Sequence, residues 1–542
     1  MKPKSMTCYL LMAVLLLSGC SGCWKKPELQ VINPTRYLEV QDDQRAEIWE
    51  MIRIKGEVAG YRHTVVTRFI EEGETIYQVS QEDVISANRL GEKSTGRIET
   101  IVQQKRDGTF LMGNKIENFS DQPMVTVIAP DETSSGNMVR HAAAVSIDPA
   151  SGEEITNFDP AKKTLSWKPG TLGPFGKQFS LWDQPLKPGE QRTIEYFDLT
   201  LEQMVTVELV AGKIEPLLYN NVKTNLLPVA ETTRIGEITI LSHHWMDANG
   251  NIVRTTLTEP LPMEFSLSTQ EKVMSAFENA GKVNLNLFAI VRVQDVIPQP
   301  RATYKVEFRL HRINSAGAGF ATLFPTTAFQ SVQKVDENTL DITVTASSPE
   351  AMTALHGHVV PQAPKETTDP RDLLCNEWIQ SDSDKIVALA GQATEQTYLS
   401  REMAVDLERY VSQILRRVSY QHSFASAAEV AETLQGDSAG YAVLLAAIAR
   451  VKKIPARVVV GLVYTKTKTN EGVFVPHFWT ELYLDGHWHP FDATIGQGGA
   501  DASRLVLARS NLADESLPVL AAKILPLLGQ LQVTILSIEP KP

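Results

Sequence analysis

One segment of this chain is apolar on every side of a helix, and it constrains the fold more than any other. The run from Tyr441 to Ala449 consists of alanine, larger aliphatic residues and one tyrosine. A helix that is hydrophobic all round is normally buried. Asp437 precedes this run and suits an N-cap, so the helix is predicted to begin at Ser438. The sequence therefore predicts an enclosed central helix with Ser438 at the positive end of its dipole.

A tight hairpin is predicted further along the chain. Asp485 and Gly486 form a strong two-residue turn between two strand-like runs. Pairing across this turn places Trp479 opposite Asp492 and puts His477 diagonal to Asp492 on the same face of the sheet. The backbones of such a diagonal pair are roughly 7–8 Å apart, within side-chain reach. We therefore expect His477 and Asp492 to be hydrogen-bonded neighbours.

The remaining histidine pairs do not predict a metal site. The same hairpin register sends His487 and His489 to the opposite face from His477, where a packed or solvated pair is the favoured interpretation. His243 and His244 are adjacent in a strand-like run, so their side chains point to opposite faces. The sequence predicts neither a metal nor a cofactor.

Four blocks of sequence carry a resemblance to a known family. They are Gly436-Asp437-Ser438-Ala439-Gly440-Tyr441-Ala442, Ile454-Pro455-Ala456-Arg457, His477-Phe478-Trp479-Thr480-Glu481 and Trp488-His489-Pro490-Phe491-Asp492-Ala493-Thr494. In this order they resemble the bacterial transglutaminase-like family, where the blocks usually read GDC-x-x-x-A, IPAR, HAWTE and W-x-P-x-DAT. The resemblance covers residues 371–515 and implies a papain-like fold with a central helix packed on an antiparallel sheet.

The resemblance implies a catalytic triad at Ser438, His477 and Asp492, in which Ser438 replaces the nucleophilic cysteine. Three neighbouring positions also depart from the family pattern, namely Gly440, Tyr441 and Phe478. The positive end of a helix dipole stabilises a thiolate and gives a serine hydroxyl much less help. A serine also needs a general base aligned to take its proton. Whether the chain is an enzyme stays open, and the departures favour a pseudoenzyme.

Three functions are compatible with these features. The first is a binding protein whose transglutaminase-like cleft holds peptide, peptidoglycan or an envelope protein without catalysis. The second is a serine-nucleophile hydrolase or acyltransferase of the amidase or peptidase type, since Ser-His-Asp sites occur on unrelated folds. The third is a structural module in which the N-terminal β-region does the binding.

The first 19 residues have the pattern of a lipoprotein signal peptide. Lys2 and Lys4 precede an apolar run from Tyr9 to Leu17 that is too short to span a bilayer. Leu17-Ser18-Gly19-Cys20 then resembles a bacterial lipobox, which implies lipidation of Cys20 and anchoring to a membrane without a spanning helix. The serine at position 21 resembles a signal for the periplasmic side of the outer membrane rather than the inner membrane.

Composition indicates which partners and which cross-links to expect. Acidic residues number 64 against 52 basic ones, a net charge of -12, which argues against a nucleic-acid partner. Of the 4 cysteines, Cys8 leaves with the signal and Cys20 would carry lipid. Cys23 and Cys375 cannot make a disulfide framework, so folding must depend on packed cores.

The fold class expected is α+β. Hairpin turns at Glu72-Gly73, Asp107-Gly108 and Asn249-Gly250 lie between β-rich runs. Residues 128–175, rich in Pro, Ser, Gly and Asp, are predicted to be an exposed excursion. Beyond the signal peptide (1–19), the predicted organisation is a tether (20–45), an antiparallel β domain (46–281), a β-rich segment (282–360), a linker (361–370), the transglutaminase-like domain (371–515) and a C-terminal helix and strand (516–542).

Overall fold

A computed structural model describes most of the chain from residue 30 to residue 540. Within that range it leaves out residues 33–36, 90–91, 119–123, 132–135, 148–153, 159–162, 220–221, 236–237, 259–261, 279–290, 314–318, 348–364, 395–400, 418–424, 468 and 528. The predicted signal peptide, Cys20 and Cys23, and the first part of the predicted linker lie outside the described residues.

The chain divides into two compact units, residues 1–285 and 286–542. From the sequence, segments 282–360 and 516–542 are predicted to be separate from the transglutaminase-like domain. In the structure, the described strands of both segments and of that domain lie within the second unit. None of the helices in the described part of the chain is long and apolar enough to cross a membrane.

The first unit is built almost entirely of strands. Its strands are β1 (Gln30–Ile32), β2 (Gln44–Ile54), β3 (Glu57–Glu71), β4 (Glu74–Arg89), β5 (Glu92–Lys105), β6 (Phe110–Asn118), β7 (Met124–Pro130), β8 (Asn137–Ile147), β9 (Glu154–Phe158), β10 (Lys163–Ser166), β11 (Gln191–Asp198), β12 (Gln203–Ala211), β13 (Glu215–Tyr219), β14 (Val222–Ile235), β15 (Ile238–Met246), β16 (Ile252–Leu257) and β17 (Met263–Ser268). Its helices are α1 (Gly176–Asp183) and α2 (Gln270–Glu278).

These described strands form one sheet that curls round an interior. Neighbouring strands pair antiparallel, except that β1 runs parallel to β2. β17 pairs with β2, which joins the last strand of the unit to the first long one. Leu172 forms single bridges to both Thr109, which immediately precedes β6, and Tyr196 in β11, so it links β11 to the start of β6. The expectation of antiparallel β structure here is confirmed.

The turn chemistry explains several of these hairpins. Glu72 and Gly73 both have positive φ, 53° and 84°, between β3 and β4. Gly108 and Gly250 have φ of 88° and 83° in the β5–β6 and β15–β16 connections. The three predicted turns are therefore confirmed. The predicted exposed excursion at 128–175 is wrong, because its described parts supply β8, β9 and β10 to the sheet.

The second unit combines helices with antiparallel sheets. Its strands are β18 (Val291–Arg292), β19 (Thr303–Arg312), β20 (Gln330–Lys334), β21 (Thr339–Thr345), β22 (Arg416–Arg417), β23 (Gln435–Gly436), β24 (Ala456–Lys466), β25 (Gly472–Leu484), β26 (His487–Phe491), β27 (Arg504–Ser510) and β28 (Leu531–Pro540). Its helices are α3 (Asp384–Ala393), α4 (Arg401–Ile414), α5 (Ala427–Thr433), α6 (Ser438–Val451) and α7 (Leu517–Ala522).

Two of its sheets matter for the site. One has the strand order β18-β25-β24-β27, with β26 added to β25. The other has the order β20-β21-β19-β28, so the C-terminal strand pairs with a strand that lies before the predicted linker. The α+β fold class, with a helix packed on an antiparallel sheet, is confirmed.

Helix α6 is the core of the second unit. Every residue from Ala439 to Arg450 is buried, and the helix contacts β24, β25, α3, α4 and α5. Thr480 on β25 donates a hydrogen bond to the carbonyl of Ala442 at 2.9 Å, which fixes the helix against the strand. The predicted central helix is confirmed, together with its start at Ser438.

Candidate active site

The N-terminus of α6 is held by its cap. The Asp437 carboxylate accepts hydrogen bonds from the backbone amides of Ala439, at 2.9 Å, and Gly440, at 3.2 Å. These contacts satisfy two of the amides that a helix start leaves without partners. Ser438 is therefore fixed as the first helical residue, with a half-buried side chain.

The hydroxyl of Ser438 faces strand β25. Its oxygen accepts a hydrogen bond from the backbone amide of Phe478 at 3.4 Å. In the part of the chain that the structure describes, no hydrogen bond joins this hydroxyl to the ring of His477. Ser438 thus lies beside the predicted base without the contact that would prepare it for proton transfer.

The histidine–carboxylate pair has the predicted geometry. In the β25–β26 hairpin, Leu484 lies opposite His487 and Thr480 lies opposite Phe491, which is the expected register. The Nε2 atom of His477 lies 2.9 Å from Oδ2 of Asp492, and both side chains are buried. The prediction that these two residues are hydrogen-bonded neighbours is confirmed. The three predicted triad positions are therefore together at one place in the second unit.

Both oxygens of the Asp492 carboxylate accept hydrogen bonds. One oxygen accepts from the amide of Thr494 at 3.0 Å and from its hydroxyl at 2.6 Å. The other accepts from His477 and from the guanidinium of Arg504, whose side chain is 3% exposed. Burial acts to raise the pKa of Asp492, but the charges of His477 and Arg504 and these hydrogen bonds outweigh it and hold the pKa far below its usual range. Asp492 is therefore a fixed buried anion.

A second carboxyl supports this arrangement from helix α4. Glu408 is fully buried and accepts hydrogen bonds from the backbone amides of Asp492, at 2.9 Å, and of Gly498 and Gly499. Burial raises its pKa to about 7, although the hydrogen bonds from these amides act in the opposite direction. Glu408 thereby fixes the backbone that carries Asp492.

Sequence reasoning missed both Glu408 and Arg504. Glu408 could have been noticed, because it interrupts the apolar face of an otherwise amphipathic helix between Ala404 and Val411. Arg504 gives no comparable signal. It lies outside the four recognised blocks, on a strand whose pairing with β24 the sequence does not specify.

The other histidines of the hairpin lie apart from this site. The register gives His487 and His489 the face opposite to His477, as expected, and both are buried. Burial, followed by the charge of Arg401, lowers the pKa of His489 to about 3, and its ring packs 5.1 Å from that of Phe329. The described residues contain no group of three or more histidines, cysteines and carboxylates placed to hold a metal ion.

Cys375 lies far from Ser438. The guanidinium of Arg450 donates a hydrogen bond to the carbonyl of Leu374, so the neighbouring Cys375 lies near the C-terminal end of α6. Ser438 is at the other end of this helix, roughly 18 Å away by the rise per residue. Cys375 is exposed, but partial desolvation and the nearby Asp382 raise the pKa of its thiol, which makes it less reactive.

Comparison with known protein families gives one match. Residues 387–493 match the model of the transglutaminase-like superfamily. The second unit contains a transglutaminase-like domain. No curated protein matches the chain.

Two solved structures show similarity at low sequence identity. A candidate cysteine protease from Cytophaga hutchinsonii is 17% identical, with a TM-score of 0.26, covering 39% of this chain and 83% of that one. A beta-barrel-like protein from Brucella abortus, a domain of unknown function, is 14% identical with a TM-score of 0.27, covering 42% of this chain and 95% of that one.

Proposed function

We propose that this protein is a cell-envelope lipoprotein whose transglutaminase-like domain binds peptide, cell-wall material or an envelope protein without catalysing a reaction on it. One observation carries the proposal. The hydroxyl of Ser438 accepts a hydrogen bond from the Phe478 amide and makes none with His477 among the described residues. A serine hydroxyl remains a weak nucleophile unless a base is aligned to remove its proton.

The membrane anchor is part of the same proposal. Lipidation of Cys20 would tether the protein to a membrane through acyl chains, on the periplasmic side of the outer membrane. Mass spectrometry of the mature N-terminus tests this, and acyl mass on residue 20 is the expected result. An unmodified N-terminus at any other residue would exclude the anchor.

A labelled fluorophosphonate probe on the pure protein tests the absence of catalysis. We expect no labelling of wild type, and a Ser438→Ala variant that is indistinguishable from it. Binding to isolated peptidoglycan, to envelope peptides and to envelope proteins is then measured for both proteins, and we expect at least one of these classes to bind each with equal affinity. Thiol-alkylating agents should not alter this binding.

A serine hydrolase or acyltransferase remains the second candidate, and the 2.9 Å contact between His477 and Asp492 favours it. In that case Ser438 would be the nucleophile, His477 the base and Asp492 the residue that orients the imidazole. Fluorophosphonate labelling that disappears in both Ser438→Ala and His477→Ala would support this candidate, because triad members act as a unit. It would also refute the non-catalytic proposal.

A further inference from the structure

The first unit contains a cavity lined by its own residues. Its volume is about 490 Å³, within the range of small-molecule sites. The walls come from strands on both sides of the curled sheet and from helix α1. Polar and charged side chains contribute to this wall alongside aromatic ones, which distinguishes the cavity from a packing defect in an apolar core.

The two cations that line the cavity already have anionic partners. Arg62 makes a two-point contact with Asp83, at 2.6 and 3.1 Å. Lys177 lies 2.8 Å from Glu231, whose carboxylate also contacts the buried ring of His244 at 2.9 Å. An anionic ligand would therefore have to compete with carboxylates that hold both cations.

The carboxylates of the cavity are not paired in the same way. Among the described residues four carboxylates line it, and two of these, Asp83 and Glu231, make the contacts with Arg62 and Lys177. Asp198 accepts hydrogen bonds from two backbone amides, each at 2.9 Å. The fourth is Glu50, which has no hydrogen bond or ion pair to any residue that the structure describes.

Glu50 makes no hydrogen bond to a described residue, although a cation lies beside it. In the sheet register Glu50 is directly opposite Arg62, and Arg62 is directly opposite Asp83 on its other side. The guanidinium turns to Asp83 and leaves Glu50 facing the cavity. Burial raises the pKa of Glu50, with the charges of Arg62 and Lys177 acting against that rise. The Glu50 side chain is half-buried and lines the cavity, so its carboxylate oxygens are accessible to a donor on a bound ligand.

Aromatic rings complete the environment that a cation prefers. The rings of Tyr37 and Trp182 contact each other, 5.0 Å apart between centroids, and both residues line the cavity. Phe265 also lines it, with the guanidinium of Arg62 4.8 Å above its ring. Aromatic faces attract cations and pack well against the apolar part of an organic amine.

We propose that this cavity is a binding site for a small organic ligand that carries a primary ammonium group. The ammonium has three donors and no acceptor, so it can donate to the carboxylate of Glu50, which accepts no hydrogen bond from a described residue. The apolar part of the ligand lies against Tyr37 and Trp182. This site is independent of the function proposed for the transglutaminase-like domain.

Calorimetric titration of the full-length protein with benzylamine tests the proposal, with benzyl alcohol as the uncharged analogue of similar shape. We expect benzylamine to bind at least about tenfold more tightly than benzyl alcohol, because the uncharged alcohol cannot make the charge-assisted hydrogen bond that the ammonium makes with Glu50. Equal affinities, or no detectable binding of benzylamine, would overturn the proposal without any variant being needed.

Glu50→Gln is the matched variant, since it keeps the shape of the side chain and removes its charge. It should weaken benzylamine binding about tenfold or more and leave benzyl alcohol unchanged. Glu71→Gln, at an exposed position at the end of β3, is the control and should bind benzylamine like wild type. Circular dichroism confirms that both variants are folded. Unchanged benzylamine affinity in folded Glu50→Gln would refute the assignment of Glu50.

Discussion

Replacing Ser438 by cysteine tests whether the helix start still has the electrostatics of a nucleophile site. A thiolate there would gain about 1 kcal/mol from the helix dipole. It would gain about 2 kcal/mol more from the Phe478 amide, which now donates to the hydroxyl. Together these correspond to about two pKa units. The adjacent Asp437 carboxylate offsets part of this gain, so we expect the thiol pKa to fall from about 8.5 to about 7.

The assay is the rate of alkylation by iodoacetamide as a function of pH, read at the peptide that contains residue 438 by mass spectrometry. Cys375 in the same molecule serves as the internal reference, because partial desolvation and the nearby Asp382 raise its pKa. The midpoint at residue 438 should lie well below the midpoint at Cys375. A midpoint at or above 8.5 would show that the site gives a thiolate no stabilisation, and the argument from the helix start would fail.

Two further predictions concern the support of Asp492. Arg504→Met should lower the free energy of unfolding of the second unit, measured by urea denaturation, by about 3–5 kcal/mol. The reason is that the buried carboxylate of Asp492 loses its cation. A loss under about 1 kcal/mol would contradict this prediction. Glu408 has a pKa of about 7 when folded, against the ordinary 4.5. The native state therefore holds this proton more tightly, and the free energy of unfolding should fall by about 3 kcal/mol as pH rises from about 4.5 to about 7. Glu408→Gln should lack this slope, and an unchanged slope in the variant would refute the assignment.

The parts of the site that the sequence predicts correctly are encoded by neighbouring residues. Asp437 caps the helix through amides two and three positions away. Asp485 and Gly486 adopt positive φ values of 53° and 92°, so the hairpin closes in two residues and its register follows. His477 and Asp492 then meet because side chains alternate with a period of two along a strand.

The parts that it does not predict depend on pairings between distant segments. Glu408 accepts a hydrogen bond from the backbone amide of Asp492, which lies 84 residues further along the chain. Nothing in the local sequence pattern specifies this contact. The cavity of the first unit likewise depends on residues that are far apart in the sequence. Glu50 and Glu231 belong to strands that meet only when the sheet curls, so neither composition nor periodicity indicates that they share a wall.

Loop-like composition also misled the interpretation of residues 128–175. Pro, Ser, Gly and Asp are concentrated there, and they usually indicate turns and loops. The strands between these residues nonetheless pair with each other, as in the β7–β8 and β8–β10 ladders. Sheet pairing depends on partners elsewhere in the chain, and it overrides a local preference that is at most about 1 kcal/mol.

The support around Asp492 explains why its contact with His477 does not by itself indicate catalysis. A carboxylate that is 1% exposed must keep its donors, because an unpaired buried charge costs several kcal/mol. His477, Thr494 and Arg504 supply those donors whether or not chemistry occurs. The intact histidine–carboxylate pair therefore indicates stability as readily as catalysis. Ser438 is different, since the hydrogen bond that its hydroxyl makes within the described part of the chain is long, at 3.4 Å. Chemistry at residue 438 is consequently the measurement that separates an enzyme from a binding protein.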